Sequence, residues 1–170
     1  MFLLSQILVA LAVLLDLISF QFMQRKHVLL ALSISTALTS VHFYLLDAIA
    51  GALLMAIASL RYLIFIKLQS KRLLIVFLLL SAVPPLTQLN ANYELYAVFG
   101  SCLLTIGAFI TAQIAFRLMM LLGTLCWLIH NYYVGSPMAV ILEGTFLISN
   151  LLGLARIYIK TRQRQRELRE

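Results

Sequence analysis

Seven apolar runs follow one another along the chain, each closed by a short polar break. They cover approximately Phe2–Phe22, Val28–Leu46, Ala48–Ile66, Leu73–Leu89, Leu95–Ala112, Ile114–Val134 and Met138–Ile159. A helix of about 20 apolar residues crosses the hydrocarbon core of a bilayer. Lipid offers no partner to unpaired backbone groups, so such runs are read as helices. The pattern therefore predicts an all-α integral membrane protein with seven spans. Asp47 alone separates the second and third runs, and Gly135–Ser136–Pro137 separates the sixth and seventh. Pro84–Pro85 falls in the fourth run and is expected to bend or shorten that helix.

The charges give this pattern a direction. Twelve of the 13 Lys and Arg residues follow odd-numbered runs: Arg25 and Lys26; Lys67, Lys71 and Arg72; Arg117; and Arg156, Lys160, Arg162, Arg164, Arg166 and Arg169. The even-numbered ends carry only Asp47 and Glu94. Basic residues collect on the cytoplasmic side. The expected topology is N-terminus outside and C-terminus cytoplasmic.

Composition agrees, since 63% of residues are hydrophobic and 11% are charged, far from the balance of a soluble domain. The net charge of +7 sits at helix ends, where anionic lipid head groups attract it. No basic folded surface remains for nucleic acid. The first run has no basic leader and is interrupted by Asp16, which favours a retained helix over a cleaved signal peptide. Cys102 and Cys126 lie inside spans without metal-ligand spacing and read as packing residues.

Two halves of the chain look alike. Val41-His42-Phe43-Tyr44-Leu45 leads through a tight turn into a small-residue run, and Ile129-His130-Asn131-Tyr132-Tyr133 does the same 88 residues later. Runs one to three thereby map onto runs five to seven. The expected organisation is a first three-helix repeat (1–67), a linker helix (68–94), a second repeat (95–159) and a basic tail (160–170). An odd linker helix lets both repeats insert in the same orientation, related by an axis along the membrane normal.

Ionisable groups inside a bilayer are costly and face the protein interior or a watery path. Asp16 and Arg61 lie at equal depth on the first and third helices, and are expected to form a structural ion pair. Towards the outer side, His42 shares a face with Ser35 and Thr39, and His130 and Asn131 share one with Trp127. Glu143 and Asn150 share a face of the seventh helix. Convergence of these groups on the repeat axis would make Asn150, Asn131 and Trp127 substrate contacts. Glu143 with His130 or His42 would then handle protons or gate the outer mouth. Each has a plainer reading: the histidines as part of an interfacial aromatic belt, Asn150 as a hydrogen bond between helices. No metal motif, nucleophile elbow or phosphate loop occurs, so neither an enzyme nor a cofactor is expected.

The segment Cys126-Trp127-Leu128-Ile129-His130-Asn131-Tyr132-Tyr133-Val134-Gly135-Ser136, with Glu143-Gly144-Thr145-Phe146-Leu147-Ile148-Ser149-Asn150, resembles the YgjV family of bacterial inner-membrane proteins. Val41–Leu46 and Ser59-Leu60-Arg61 are similar to that family's first-repeat motif. The resemblance implies a fold and a membrane but no substrate. The three-one-three plan is also similar to SWEET, PQ-loop and PnuC transporters and to the KDEL receptor, on architecture alone; a Pro-Gln pair is absent. The expected function is transport of a small polar metabolite between the two three-helix bundles. The alternative is a non-transporting receptor or structural component. Membrane lipids and the transported molecule are the expected partners, and a homo-oligomer is left open.

The charge pattern makes a direct prediction. A reporter fused after Glu170 should read cytoplasmic and one inserted beside Glu94 periplasmic; export of the first would change the span count by an odd number.

Overall fold

The structure, a computed structural model, describes residues 1–19, 22, 24–68, 70–89, 91–110 and 112–167. These form seven helices: α1 (Phe2–Ser19), α2 (Arg25–Tyr44), α3 (Ile49–Phe65), α4 (Lys71–Leu86), α5 (Glu94–Gly107), α6 (Gln113–Val134) and α7 (Pro137–Glu167). Four are long and apolar enough to cross a bilayer, over Phe2–Ser19, Lys26–Tyr44, Ile114–Val134 and Pro137–Ile159. The shorter apolar helices are Ile49–Phe65 and Glu94–Gly107.

Three ends differ from the sequence reading. Helix α4 carries Pro84 and Pro85 in its last turn and stops at Leu86; prolines supply no N–H to the carbonyls one turn earlier, which weakens the helix at this end. Helix α5 stops at Gly107, well before Ala112. Residues 160–167, expected as a separate tail, continue α7 as far as Glu167. Arg, Gln, Lys and Glu are good helix formers, and no Gly or Pro interrupts them. Arg169 and Glu170 lie outside the described residues.

The bundle is turned inside out relative to a soluble one. On α1, Leu3, Ile7, Leu11, Leu14 and Ile18 form an exposed stripe, while Ser5, Val9, Ala12, Asp16 and Ser19 are buried. Lipid solvates the outer stripe, and the inner one meets neighbours through small and polar side chains. Packing runs α1–α2–α3–α5–α6–α7 and back to α1, with α4 seated against α3 and α5. Phe65 anchors α4, its ring standing 5.7 Å from Phe77 and 5.4 Å from Phe109. Helix α2 lies between α1 and α3, and among the described residues those two do not touch.

The turns after α2 and α6 have the same construction. Asp47 (φ 58°) and Gly135 (φ 73°) are the positive-φ positions of the described chain, and they stand 88 residues apart. Around them Ala48 N donates to Phe43 O (3.0 Å) and Ser136 N to Asn131 O (3.1 Å). Asp47 N donates to Tyr44 O (3.2 Å) and Gly135 N to Tyr132 O (3.1 Å). This is the Schellman pattern that satisfies the last carbonyls of a helix and reverses the chain. Gly is the usual residue at the left-handed position, and Asp is among the few others that tolerate it.

Helix crossings recur at the same offset. Ser35 Oγ on α2 donates to Ala12 O on α1 at 3.2 Å. Their counterparts, Gly123 on α6 and Gly100 on α5, bring backbones still closer. A Cβ on Gly100 would sit 2.9 Å from Gly123 O and 2.8 Å from Trp127 Cδ1, and one on Gly123 would sit 3.1 Å from Gly100 O. The double glycine crossing thus fixes the height at which Trp127 enters the bundle.

Gly100→Leu should therefore cost about 1–3 kcal/mol by overpacking. Gly144→Leu, where nothing lies within 4 Å of an added Cβ, should be tolerated. Thermal unfolding in detergent checks this; equal loss at both positions would contradict the crossing.

Candidate functional site

His42 is fully buried near the end of α2, and both of its ring nitrogens are hydrogen-bonded. Its Nδ1 lies 2.8 Å from Ser5 O on α1. A carbonyl can only accept, so Nδ1 carries the proton. In the neutral ring Nε2 is then an acceptor, and Ser136 Oγ, 3.0 Å away, donates to it. Ser136 lies in the turn between α6 and α7, so one imidazole joins the first half of the chain to the second. Gln6 completes the knot: its Oε1 accepts from Met138 N (3.3 Å) at the start of α7, and Ser136 Oγ accepts from Ala139 N (3.3 Å). Free N–H groups at a helix start need such partners.

Directly beneath, Phe43 occupies the centre. Its ring centroid stands 5.0 Å from His42, 5.6 Å from Trp127 and 5.4 Å from His130. Trp127 and His130 meet edge to face at 5.3 Å. Room for this comes from Gly51 on α3, where a Cβ would press to 3.0 Å from His130 Nε2 and 3.3 Å from Phe43 Cγ. Tyr93 closes the side, 5.9 Å from His130 and stacked on Tyr133 at 5.6 Å.

The second half of this cluster is not satisfied as the first is. By the repeat offset, Tyr93 stands for Ser5 and Ala48 for Ser136. The Tyr93 backbone does lie beside the His130 ring, but without hydrogen-bond geometry, and Ala48 has no hydroxyl to offer. Both ring nitrogens of His130, Trp127 Nε1 and Asn131 Oδ1 are buried without a hydrogen-bond partner. His130 is 0% exposed, and Trp127 and Asn131 are 1% exposed. Burying polar atoms unpaired costs on the order of 1–3 kcal/mol each. Three adjacent side chains that forgo their partners form a chemically hungry spot.

A family model describing a bacterial inner membrane protein, Imp-YgjV, matches residues 3–161, which include all of these groups. The chain belongs to the YgjV family. Among curated proteins it is similar to the inner membrane protein YgjV of Escherichia coli (strain K12), 30% identical over 127 residues, covering 75% of this chain and 69% of that protein. No solved structure matches it.

The remaining candidates of this YgjV-family protein lie away from the cluster. Asp16 and Arg61 do not pair among the described residues. The Arg61 guanidinium donates to Thr105 Oγ1 on α5, and Thr105 Oγ1 in turn donates to Ser101 O (2.7 Å). Asp16 stands beside Ser35 on α2, with its Oδ1 unpartnered. The reason is topological, since α2 separates α1 from α3. Glu143 meets neither histidine; it is half-buried and lies within electrostatic reach of Asp16 across the α1–α7 contact. Asn150 is half-buried and its Nδ2 donates to Phe146 O within its own helix (3.1 Å). It lies about 20 Å along α7 from the His42 knot, at 1.5 Å per residue. Among the described residues no three His, Cys, Asp or Glu side chains gather to hold a metal ion.

Sequence reasoning overlooked Ser5, Gln6, Gly51, Tyr93 and Thr105. Gln6 had a visible signal, as a lone amide one turn into an apolar run. Ser5, Gly51, Tyr93 and Thr105 carry no such signal, and only the packing brings them to the rings and to Arg61.

Double-mutant cycles separate the two arrangements around Arg61. Asp16→Asn with Arg61→Gln should be additive to within about 0.5 kcal/mol, as for non-contacting sites. Arg61→Gln with Thr105→Val should couple by about 1 kcal/mol, because each breaks the same bond. Coupling in the first cycle and none in the second would restore the ion pair.

Proposed function

We propose that this protein carries a small polar metabolite across the inner membrane, along the axis between two three-helix units, with the histidine cluster as its outer closure. The units are α1–α3 and α5–α7, parallel repeats joined by α4 as in SWEET and PQ-loop transporters. The N-terminus and the turns at Asp47 and Gly135 then face the periplasm, and the basic ends face the cytoplasm. Support comes from the contact order. Helices α1 and α7 meet, and so do α3 and α5; each contact becomes the other when one repeat is exchanged for the other. Repeat-built transporters bind their substrates on such an axis.

One observation carries the reading: His130, Trp127 and Asn131 are buried side by side with unpaired polar atoms. A component that served only to hold helices together would gain by pairing them, as His42 is paired. A site that exchanges partners during a cycle has to leave donors and acceptors for the passing molecule. In this reading Asn131 and Trp127 touch substrate at the outer gate, and His130 reorients as the gate opens. Asn150 contacts it deeper along α7. Proton handling falls to Glu143 with Asp16 rather than with His42 or His130, because Asp16 is the carboxylate within its reach. No bond is made or broken, so the chain is not an enzyme. The fully paired His42 knot favours the alternative, a non-transporting receptor or structural component, for its own half of the cluster only.

Ala48→Ser tests the reading by supplying to His130 the kind of hydroxyl that Ser136 gives to His42. A bond to His130 Nε2 is worth about 1 kcal/mol. It should raise thermal stability and hold the gate closed about fivefold more of the time. Uptake of labelled polar metabolites into proteoliposomes should fall accordingly, and Asn131→Ala should impair uptake with insertion intact. Normal uptake by both variants, or no uptake of any polar metabolite by the wild type, would sink the proposal.

A further inference from the structure

At the end of the bundle that carries the basic residues, α6 and α7 enclose a cleft of about 270 Å³ lined by Arg117, Ser149, Leu152, Gly153, Arg156 and Ile157. Arg117 comes from the first turns of α6 and is half-buried. Its guanidinium lies directly on Gly153 of α7, in the space that any side chain at 153 would occupy. Arg156 stands one turn further along α7, and Ser149 one turn before. Arg117, Arg156 and Ser149 thus line one opening. Among the described residues no carboxylate pairs with either arginine, and α6 contains no Asp or Glu. Like charges brought together repel unless an anion sits between them, so the arrangement asks for one from outside the chain.

We propose that this cleft binds a phosphate group. Guanidinium forks match the oxygens of a phosphate in two-point hydrogen bonds, better than an ammonium does, and Ser149 can add a neutral donor. Phosphate is shared by an anionic phospholipid head group and by soluble phosphate. The apolar walls, Leu152 and Ile157, run alongside the charged opening and would lie against an acyl chain. Basic clefts between membrane helices bind lipid head groups in this way. The site is separate from the histidine cluster, and the proposal does not depend on transport.

The test uses the full-length protein in phosphatidylcholine nanodiscs, following the thermal midpoint as phosphatidylglycerol is titrated in, with inorganic phosphate in a parallel series at fixed ionic strength. Phosphatidylglycerol should raise the midpoint saturably, and Arg117→Gln and Arg156→Gln should each weaken that response about tenfold. Arg162→Gln, which removes an exposed arginine outside the cleft, should leave it unchanged. Gly153→Ala keeps both charges but displaces the Arg117 guanidinium; it should also weaken the response, which charge attraction alone would not produce. An equal, Arg117-dependent rise with inorganic phosphate would support the cleft and identify its ligand as soluble. No saturable rise with either ligand, or a rise that survives both Arg117→Gln and Gly153→Ala, would overturn the site.

Discussion

Inside a bilayer a polar side chain has no water to fall back on, so its partners decide which helices can sit together. The His42 imidazole is where this constraint is tightest. One nitrogen is held by the Ser5 carbonyl and the other by the Ser136 hydroxyl, at 2.8 and 3.0 Å. Through that ring, α1, α2 and the start of α7 are set at a common height, and Phe43 on the next position is turned into the space between the halves. Trp127 then packs on Phe43 from α6, at a level set by the glycine crossing of α5 and α6. Removing the imidazole would leave a carbonyl and a hydroxyl buried together, and the outer end would lose its register.

The two like-built turns frame both the knot and its asymmetry. The same Schellman turn, 88 residues apart, delivers a histidine to the same level of each half. Only one turn also delivers a hydroxyl. Ser136 therefore latches His42, whereas Ala48 leaves His130 without a latch. In the proposed transport path, a symmetric pair of latches would hold this end closed, whereas a single latch leaves the facing surface able to take a polar guest. In this way a substitution between two otherwise equivalent turns links the architecture to the proposed transport.

Much of this was legible in the sequence, because depth is. Run lengths and basic ends report a position along the membrane normal, and they anticipated seven helices and the two turns. The matched His42 and His130 motifs point to a common level, and both rings pack on Phe43 with Trp127 beside them. Angle around the bundle axis is not encoded so openly. Asp16 and Arg61 share a depth, yet α2 stands between their helices, and each finds a neutral partner instead. Depth likewise groups Glu143 with the histidines, yet it is Asp16 that lies within its electrostatic reach. Asn150 was joined to the cluster by sharing a face with Glu143, although a shared face says nothing of height. The end of α5 is hidden too, since Ala108, Phe109 and Ile110 carry the apolar run past Gly107, where the helix stops.

In the proposed transport cycle the histidine end of the bundle is a gate held by the His42–Ser136 bond. Tyr44 and Tyr132, equivalent positions at the ends of α2 and α6, are 65% and 72% exposed and can carry spin labels in a background free of Cys102 and Cys126. Pulsed electron paramagnetic resonance between them in nanodiscs reads the opening directly. The account predicts a short, dominant distance in the wild-type background and a second, longer one gaining population when Ser136 is changed to Ala. A single distance, unchanged by Ser136→Ala, would contradict it.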